Sequence, residues 1–349
     1  MNPGIRRDDG NSFAGMTAMD DGSARSMTEF ELIARYFDRP VQRARLGIGD
    51  DCALLAPHAG HELAVSTDML VADRHFFSDG DPAALGWKSL AVNLSDLAAM
   101  GAQPLAFTLA LALPDVDEEW LSHFAGGLFE CAQRFDCELV GGDTTRGPLN
   151  ICITVFGEVA EGRALRRDGA KACDDVWVSG VVGDAALALA RARAARVAGA
   201  RDLAIHDAAR VALERPMPRI ALGLALRGIA TSAIDVSDGL AQDLGHLLAA
   251  SKLGATLGAC SVPVSETLAR EGDDVRYRCA LAGGDDYQLC FTAPRARRDA
   301  VEDASRKSAT RVTRVGVIDA DSGLRFVDAN GADFRFPDGL TLHGFDHFA

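Results

Sequence analysis

Most signatures that announce an enzyme class are missing from this chain. It has no G-x-x-x-x-G-K-[ST] phosphate loop, no H-E-x-x-H or other zinc spacing among its eight histidines, and no G-x-S-x-G around a serine. The stretch GVVGD (180–184) lacks the third glycine of a dinucleotide fingerprint and an acid about 20 residues later, so it reads as a strand-to-helix turn. DADSGLRF (319–326) carries its glycine at the fifth place, which excludes a calcium loop, and it reads as a hairpin turn. The eight cysteines include no C-x-x-C pair, and most lie in apolar segments, as buried thiols of a reducing compartment would.

Long apolar runs are also lacking. None reaches the roughly 18 residues of a membrane span, and residues 1–27 are polar, without a secretory core. No repeat recurs at solenoid periods. The expectation is a cytoplasmic protein with a disordered tail over 1–27. Positive charge is scarce too: Lys and Arg number 36 against 50 Asp and Glu, a formal net charge of −14. Nucleic acid and anionic membranes are therefore excluded as general partners, because both need a basic face. Any phosphate-bearing ligand must be met by local cations or metal ions.

Aspartate beside Gly, Ser, Thr or Asn is what the chain has in quantity. GIGDDCALL (47–55), STDML (66–70), NLSDL (93–97), GGDTT (141–145), DVSDG (235–239) and GGDDY (283–287) each set such an acid against an apolar segment. A surface turn explains any one of them; six need a common cause.

At 349 residues, 48% of them hydrophobic, the chain can bury a large core and divide into two domains. A short helix at 30–37 precedes GIGDDCALL, and a strand follows at LAVSTDML. The periodicity predicts a helix over 81–101, with Asp81 as N-cap, Pro82 in the first turn and Gly101 as the stop, and an amphipathic helix over 117–135. Strands at PLAFTLALALP, ELVGGDTTRG and NICITVFGEV complete a first α/β domain over 28–160. The rest, 161–349, alternates strands and helices unevenly, which suits mixed sheets better than a doubly wound parallel one. PLAFTLALALP is apolar on both faces, which points to a homodimer through the first half.

Within the helix 81–100, Ser89, Asn93 and Asp96 form a polar stripe without the Lys and Glu of a solvated face. Asp96 would be costly if buried alone, which favours a ligand role. At DVSDG, Ser237 or Asp238 could cap the following helix, but a cap leaves Asp235 at the strand end unexplained. Acids at strand ends grouped with hydroxyls suit Mg²⁺, a cation that takes carboxylates, water and substrate phosphates. On this reading Asp50 and Asp51 face metal rather than bulk water.

The ordered set GIGDDCALL, STDMLVADRHF, KSLAVNLSDLAAMGAQP, VGGDTTRGP, AIDVSDGLAQDLGH and GGDDYQLCF closely resembles the thiamine-monophosphate kinase family, within the superfamily of aminoimidazole ribonucleotide synthetase. The resemblance spans about 28–348. It implies an α/β (α+β) fold of two mixed-sheet domains, an N-terminal half that builds a dimer β-barrel, and ATP in the cleft between the halves. It also implies the reaction of ATP with thiamine monophosphate to give ADP and thiamine diphosphate, with several Mg²⁺ ions per site.

Carried over by motif, Asp51, Ser66, Thr67, Asp68, Asp96, Asp143, Asp235 and Asp238 resemble Mg²⁺ ligands. Gly142, Asp143, Arg167 and Ser237 resemble ATP contacts, and His75, Asp285 and Phe345 resemble contacts to the thiamine substrate. The chain departs at GGDDYQ, where GGEDYE is usual, so Asp285 has a shorter reach and Gln288 no charge. Selenophosphate synthetases, of the same superfamily, usually carry a reactive Cys in an N-terminal glycine-rich loop, and here no Cys occurs in 1–51.

Overall fold

The computed structural model describes residues 27–199, 208–337, 340, 342 and 344; the tail expected over 1–27 lies outside them except for Met27, and so does Phe345. The first half runs α1 (Glu29–Leu32), a π-helical turn (Ile33–Phe37), β1 (His61–Val71), α2 (Pro82–Ala99), β2 (Gln103–Leu113), α3 (Glu118–Phe135), β3 (Glu138–Arg146) and β4 (Asn150–Ala160). Its sheet has the order β1-β4-β2-β3, with β2 and β3 parallel and the other pairs antiparallel.

The second half contains β5 (Asp175–Ser179), α4 (Asp184–Val197), α5 (Ala208–Glu214), α6 (Ile220–Ala225), β6 (Ser232–Val236), α7 (Leu240–Ser251), β7 (Gly254–Gly258), α8 (Glu266–Ala269), α9 (Asp273–Ala282), β8 (Gln288–Ala293), α10 (Arg298–Lys307), β9 (Val312–Asp319) and β10 (Gly323–Val327). Its strands form a six-stranded mixed sheet in the order β10-β7-β9-β5-β8-β6. The two mixed sheets are those expected. DADSGLRF is not a hairpin, however: β10 pairs in parallel with β7, which lies between β10 and β9.

Local chemistry sets the helix ends as read. The Asp81 side chain accepts from the Ala83 N–H at the start of α2, and that of Asp117 accepts from the N–H groups of Glu119 and Trp120 at the start of α3. The two helices press together through glycines: a Cβ on Gly86 would lie 2.0 Å from the Phe124 carbonyl oxygen, and one on Gly127 1.8 Å from that of Ala83. This contact buries α2 so fully that Leu90, Leu94 and Leu97 are at most 1% exposed. The same core continues into the second half through Trp177, Leu222, Leu226 and Phe291, so α2 is packed from both halves.

Only four of the cysteines, Cys131, Cys137, Cys279 and Cys290, are buried. Cys52, Cys173 and Cys260 are exposed; the first two fall in a loop and a turn, and Cys260 in the one-turn 3-10 helix Ala259–Ser261.

Candidate active site

A cavity of about 1180 Å³ opens between β1 and α2 on one side and the β6–α7 turn and the 282–287 loop on the other. Strand alternation sends Ser66 and Asp68 of β1 to the face that α2 covers. There the Ser66 hydroxyl donates to Asp96 Oδ2 at 2.5 Å, and the Asp68 N–H donates to Asn93 Oδ1 at 3.0 Å. Ser95, one residue before Asp96, donates to Asp235 Oδ2 at 2.8 Å. The stripe thus meets Ser66 and Asp68 of the first half, and Ser95, outside the stripe, reaches Asp235 of the second.

The turn after β6 is held by a residue the sequence reading did not single out. A single oxygen of Asp243, in the first turn of α7, accepts from the N–H groups of Ser237, Asp238 and Gly239 at 3.0, 3.0 and 3.1 Å. Neither Ser237 nor Asp238 caps the helix, which begins at Leu240 after Gly239 without a side-chain cap. Asp243 does that work from inside the helix, and Ser237 and Asp238 line the cavity instead.

Crowding of acids marks the wall electrostatically. Burial, followed by the charges of Asp96 and Asp238, raises the Asp68 carboxyl to about 6. Burial and then the charge of Asp96 raise Asp235 to about 8. Asp96 is raised too, chiefly by burial, while the Ser66 hydroxyl and the charge of Arg167 pull it down. Asp243 is lifted to about 6 by burial against the three N–H donors it accepts. Buried carboxylates that repel one another favour a cation between them. Their oxygens and neighbouring hydroxyls are the donors a hard cation takes. Among the described residues, no three Asp, Glu, His or Cys side chains are gathered closely enough to hold a metal by themselves. A cation here would complete its shell from water and substrate phosphates.

The substrate-side residues meet the cavity as well. His75 lines it, and its Nδ1 accepts from the Val71 N–H at 3.0 Å, which leaves the proton on Nε2. Asp285 lines it from the second half, paired with Lys88 Nζ at 3.0 Å and accepting from the Tyr287 hydroxyl at 3.1 Å. Lys88 and Tyr287 also escaped the sequence reading. A lysine amid apolar helix residues gives a signal, since such a position is buried in any helix that packs on two sides. Gln288 is buried, and its Oε1 accepts from Ser179 Oγ and Arg219 Nε, both at 2.8 Å.

Four expected ligands are placed elsewhere within one chain. Thr67 points to the other face of β1, where its hydroxyl bonds that of Thr154 at 2.8 Å, although the residue borders the cavity. Gly142 and Asp143 lie exposed on β3, three strand spacings or about 14 Å from β1. Asp51 is exposed with Asp50, because residues 42–44 are pinned by their N–H groups to the Glu138 carboxylate at the β3 edge. The paired acids of GIGDDCALL thus face solvent in the single chain.

Comparison with known proteins gives the chain a family. The chain matches the family models of AIR synthase related protein, the N-terminal domain over residues 49–159 and the C-terminal domain over 174–329. It is 48% identical over 327 residues to the thiamine-monophosphate kinase of Salmonella typhimurium, covering 92% of this chain and 98% of that protein. The Escherichia coli K12 enzyme of the same name is 49% identical over 328 residues, with 92% and 98% covered. Among solved structures, thiamine-monophosphate kinase from Stenotrophomonas maltophilia K279a superimposes with a TM-score of 0.77 at 45% identity, covering 87% of this chain and 96% of that one. AaThiL, solved in complex with AMPPCP and TMP, gives 0.71 at 28% identity, with 84% and 89% covered. Hydrogenase maturation protein HypE, 22% identical, shares the fold alone. By sequence and by fold, this chain belongs to the thiamine-monophosphate kinase family of AIR synthase related proteins.

Proposed function

We infer that the chain transfers the γ-phosphoryl group of ATP to the phosphate of thiamine monophosphate, giving ADP and thiamine diphosphate. The observation that carries this reading is the convergence of Asp68, Asp96, Asp235 and Asp238, from both halves, on one substrate-sized cavity. The names of the relatives support the choice of substrates. A phosphate monoester has its second pKa near 6, so its attacking oxygen is already largely ionised at neutral pH. That oxygen forms the new bond to the γ-phosphorus while the bond to the bridging oxygen of ADP breaks. No proton has to be removed, so the carboxylates of this site are left to hold metal.

Asp68, Asp96, Asp235 and Asp238 are the residues that would hold Mg²⁺, with Ser66 and Ser95 orienting two of them. Bound there, the cation supplies charge neutralisation and Lewis acidity between two polyanions. Arg167, Ser237, His75 and Asp285 are proposed as the nucleotide and substrate contacts. The buried and unpaired thiols are consistent with a reducing, cytoplasmic setting.

The remaining acids fit a homodimer. Leu63, Val65 and Met69 of β1 are 44%, 55% and 54% exposed on the sheet face that α2 does not cover. Thr67, Ala110 and Asp143 share that face by register. A second copy packed on this apolar face would bring its own Asp51, Gly142 and Asp143 toward the first copy's β1, so that each site draws ligands from two chains. The direct test of function incubates purified protein with ATP, Mg²⁺ and thiamine monophosphate and separates products by chromatography. Thiamine diphosphate and ADP in equal amounts are expected; ADP without thiamine diphosphate would reject the reading.

A further inference from the structure

Lys88 is a buried cation in a cleft lined by acids. On α2 it follows Ala84 and precedes Val92 and Asp96 at steps of four residues, and all four line the cavity from one helix face. Lys88 is only 5% exposed, and lysines are almost never so buried unless paired. Its pair is Asp285 Oδ1, 3.0 Å away on the opposite wall. An ammonium has three N–H donors, and Asp285 is its one acceptor among the described residues. Two donors of a buried charge are thus left for whatever enters the cavity, and a buried donor without an acceptor is a substantial penalty.

The partner is itself fixed. The Tyr287 hydroxyl donates to the same Asp285 oxygen, and both residues hold left-handed backbone angles, φ of 66° and 48°. Non-glycine residues seldom adopt that region, so the surrounding loop must impose it. Its effect is to fix one carboxylate against one ammonium. Lys88 stands two helical turns, about 12 Å of rise, from Asp96 toward the start of α2, away from the Asp96–Asp235 end of the wall.

We propose that Lys88 binds the phosphate of the acceptor monoester, an assignment that rests on the kinase reading above. The acceptor's thiazolium ring is cationic and repelled by an ammonium, whereas its phosphate is the group able to fill two open donors. Asp285 then serves to aim Lys88 as well as to border the organic part of the substrate. Charge-assisted bonds of this kind correspond to about tenfold to a hundredfold in affinity.

The test compares wild-type protein with Lys88→Met by steady-state kinetics, using free thiamine as a competitive inhibitor that lacks the phosphate. Lys88→Met should raise KM for thiamine monophosphate at least about tenfold while the KM for ATP and the inhibition constant of thiamine stay within about twofold. Lys88→Arg, which keeps the charge, should recover most of the loss. A parallel rise for thiamine, or an unchanged KM for the monophosphate, would overturn the assignment. Should Lys88→Met not fold, Lys88→Arg and Lys88→Gln carry the same comparison: equal constants for the monophosphate in both would also overturn it. Wild-type protein that does not turn over thiamine monophosphate rejects the kinase reading instead, so the two failures are distinguishable.

Discussion

The aspartates of this chain occupy two settings. Asp68, Asp96 and Asp235 are packed on the cleft side of the first sheet, hydrogen-bonded to hydroxyls or backed by Asn93 and pushed toward protonation by burial and one another. Asp50, Asp51 and Asp143 lie exposed on the β3 side, in motifs that look the same in sequence. Glycine and hydroxyl neighbours therefore mark a candidate ligand, but the face on which a strand presents it decides whether one chain can use it. The buried group lines one cavity within a single copy, whereas the exposed group could join a site only through the second copy proposed above.

The largest expected effect comes from the buried group. Asp68→Asn or Asp235→Asn should lower kcat at least about a hundredfold, since each removes a ligand charge where the transferred phosphoryl group is neutralised. Full activity in either folded variant would break the distinction. The same changes should not destabilise the ligand-free protein, because they relieve repulsion between buried carboxylates.

The pH dependence follows from the raised groups. Asp235 stands at about 8 folded against an ordinary value of 3.8, so the folded state binds more protons over that window. Stability of chelated protein should fall as pH rises from about 4 to about 8, and Asp235→Asn should flatten that slope in thermal unfolding scans.

The exposed group is tested through its face. Val65→Asp combined with Met69→Asp should give a monomer in sedimentation and lower activity at least about tenfold while leaving the fold intact. A fully active monomer would sever the β3-side acids from function.

Next in size is the turn itself. Asp243→Ala leaves three backbone donors without their acceptor and should cost about 3 kcal/mol, read by denaturant unfolding. The smallest effect is expected at Gln288→Glu, which places a carboxylate where Arg219 and Ser179 already donate. It should leave stability within about 1 kcal/mol of wild type.

Much of this was legible before the structure. The capped helices at 82–99 and 118–135, the mixed sheets and the placement of Asp96 against the cavity follow from periodicity, caps and the cost of a lone buried acid. What escaped is of two kinds. The hold of Asp243 on the N–H groups of the DVSDG turn is local, but an acid inside the first turn of a helix has no sequence signal that separates it from a solvated one. The insertion of β7 between β9 and β10 depends on pairing distant in sequence. Alternation along STDML was in principle readable: Ser66 and Asp68 on one face require Thr67 on the other. Only the sheet order showed that Asp143 stands at the far edge from β1.

A site that draws acids from two copies, as proposed above, can be detected by subunit complementation. Asp68→Asn and Asp143→Asn, each expected to be inactive as a homodimer, are co-expressed with different tags, and the heterodimer is purified through both. If Asp68 of one protomer works with Asp143 of its partner, the heterodimer keeps one intact site of two and shows about half the wild-type turnover. Turnover no higher than that of either parent homodimer would rule out a shared site and return both residues to one chain.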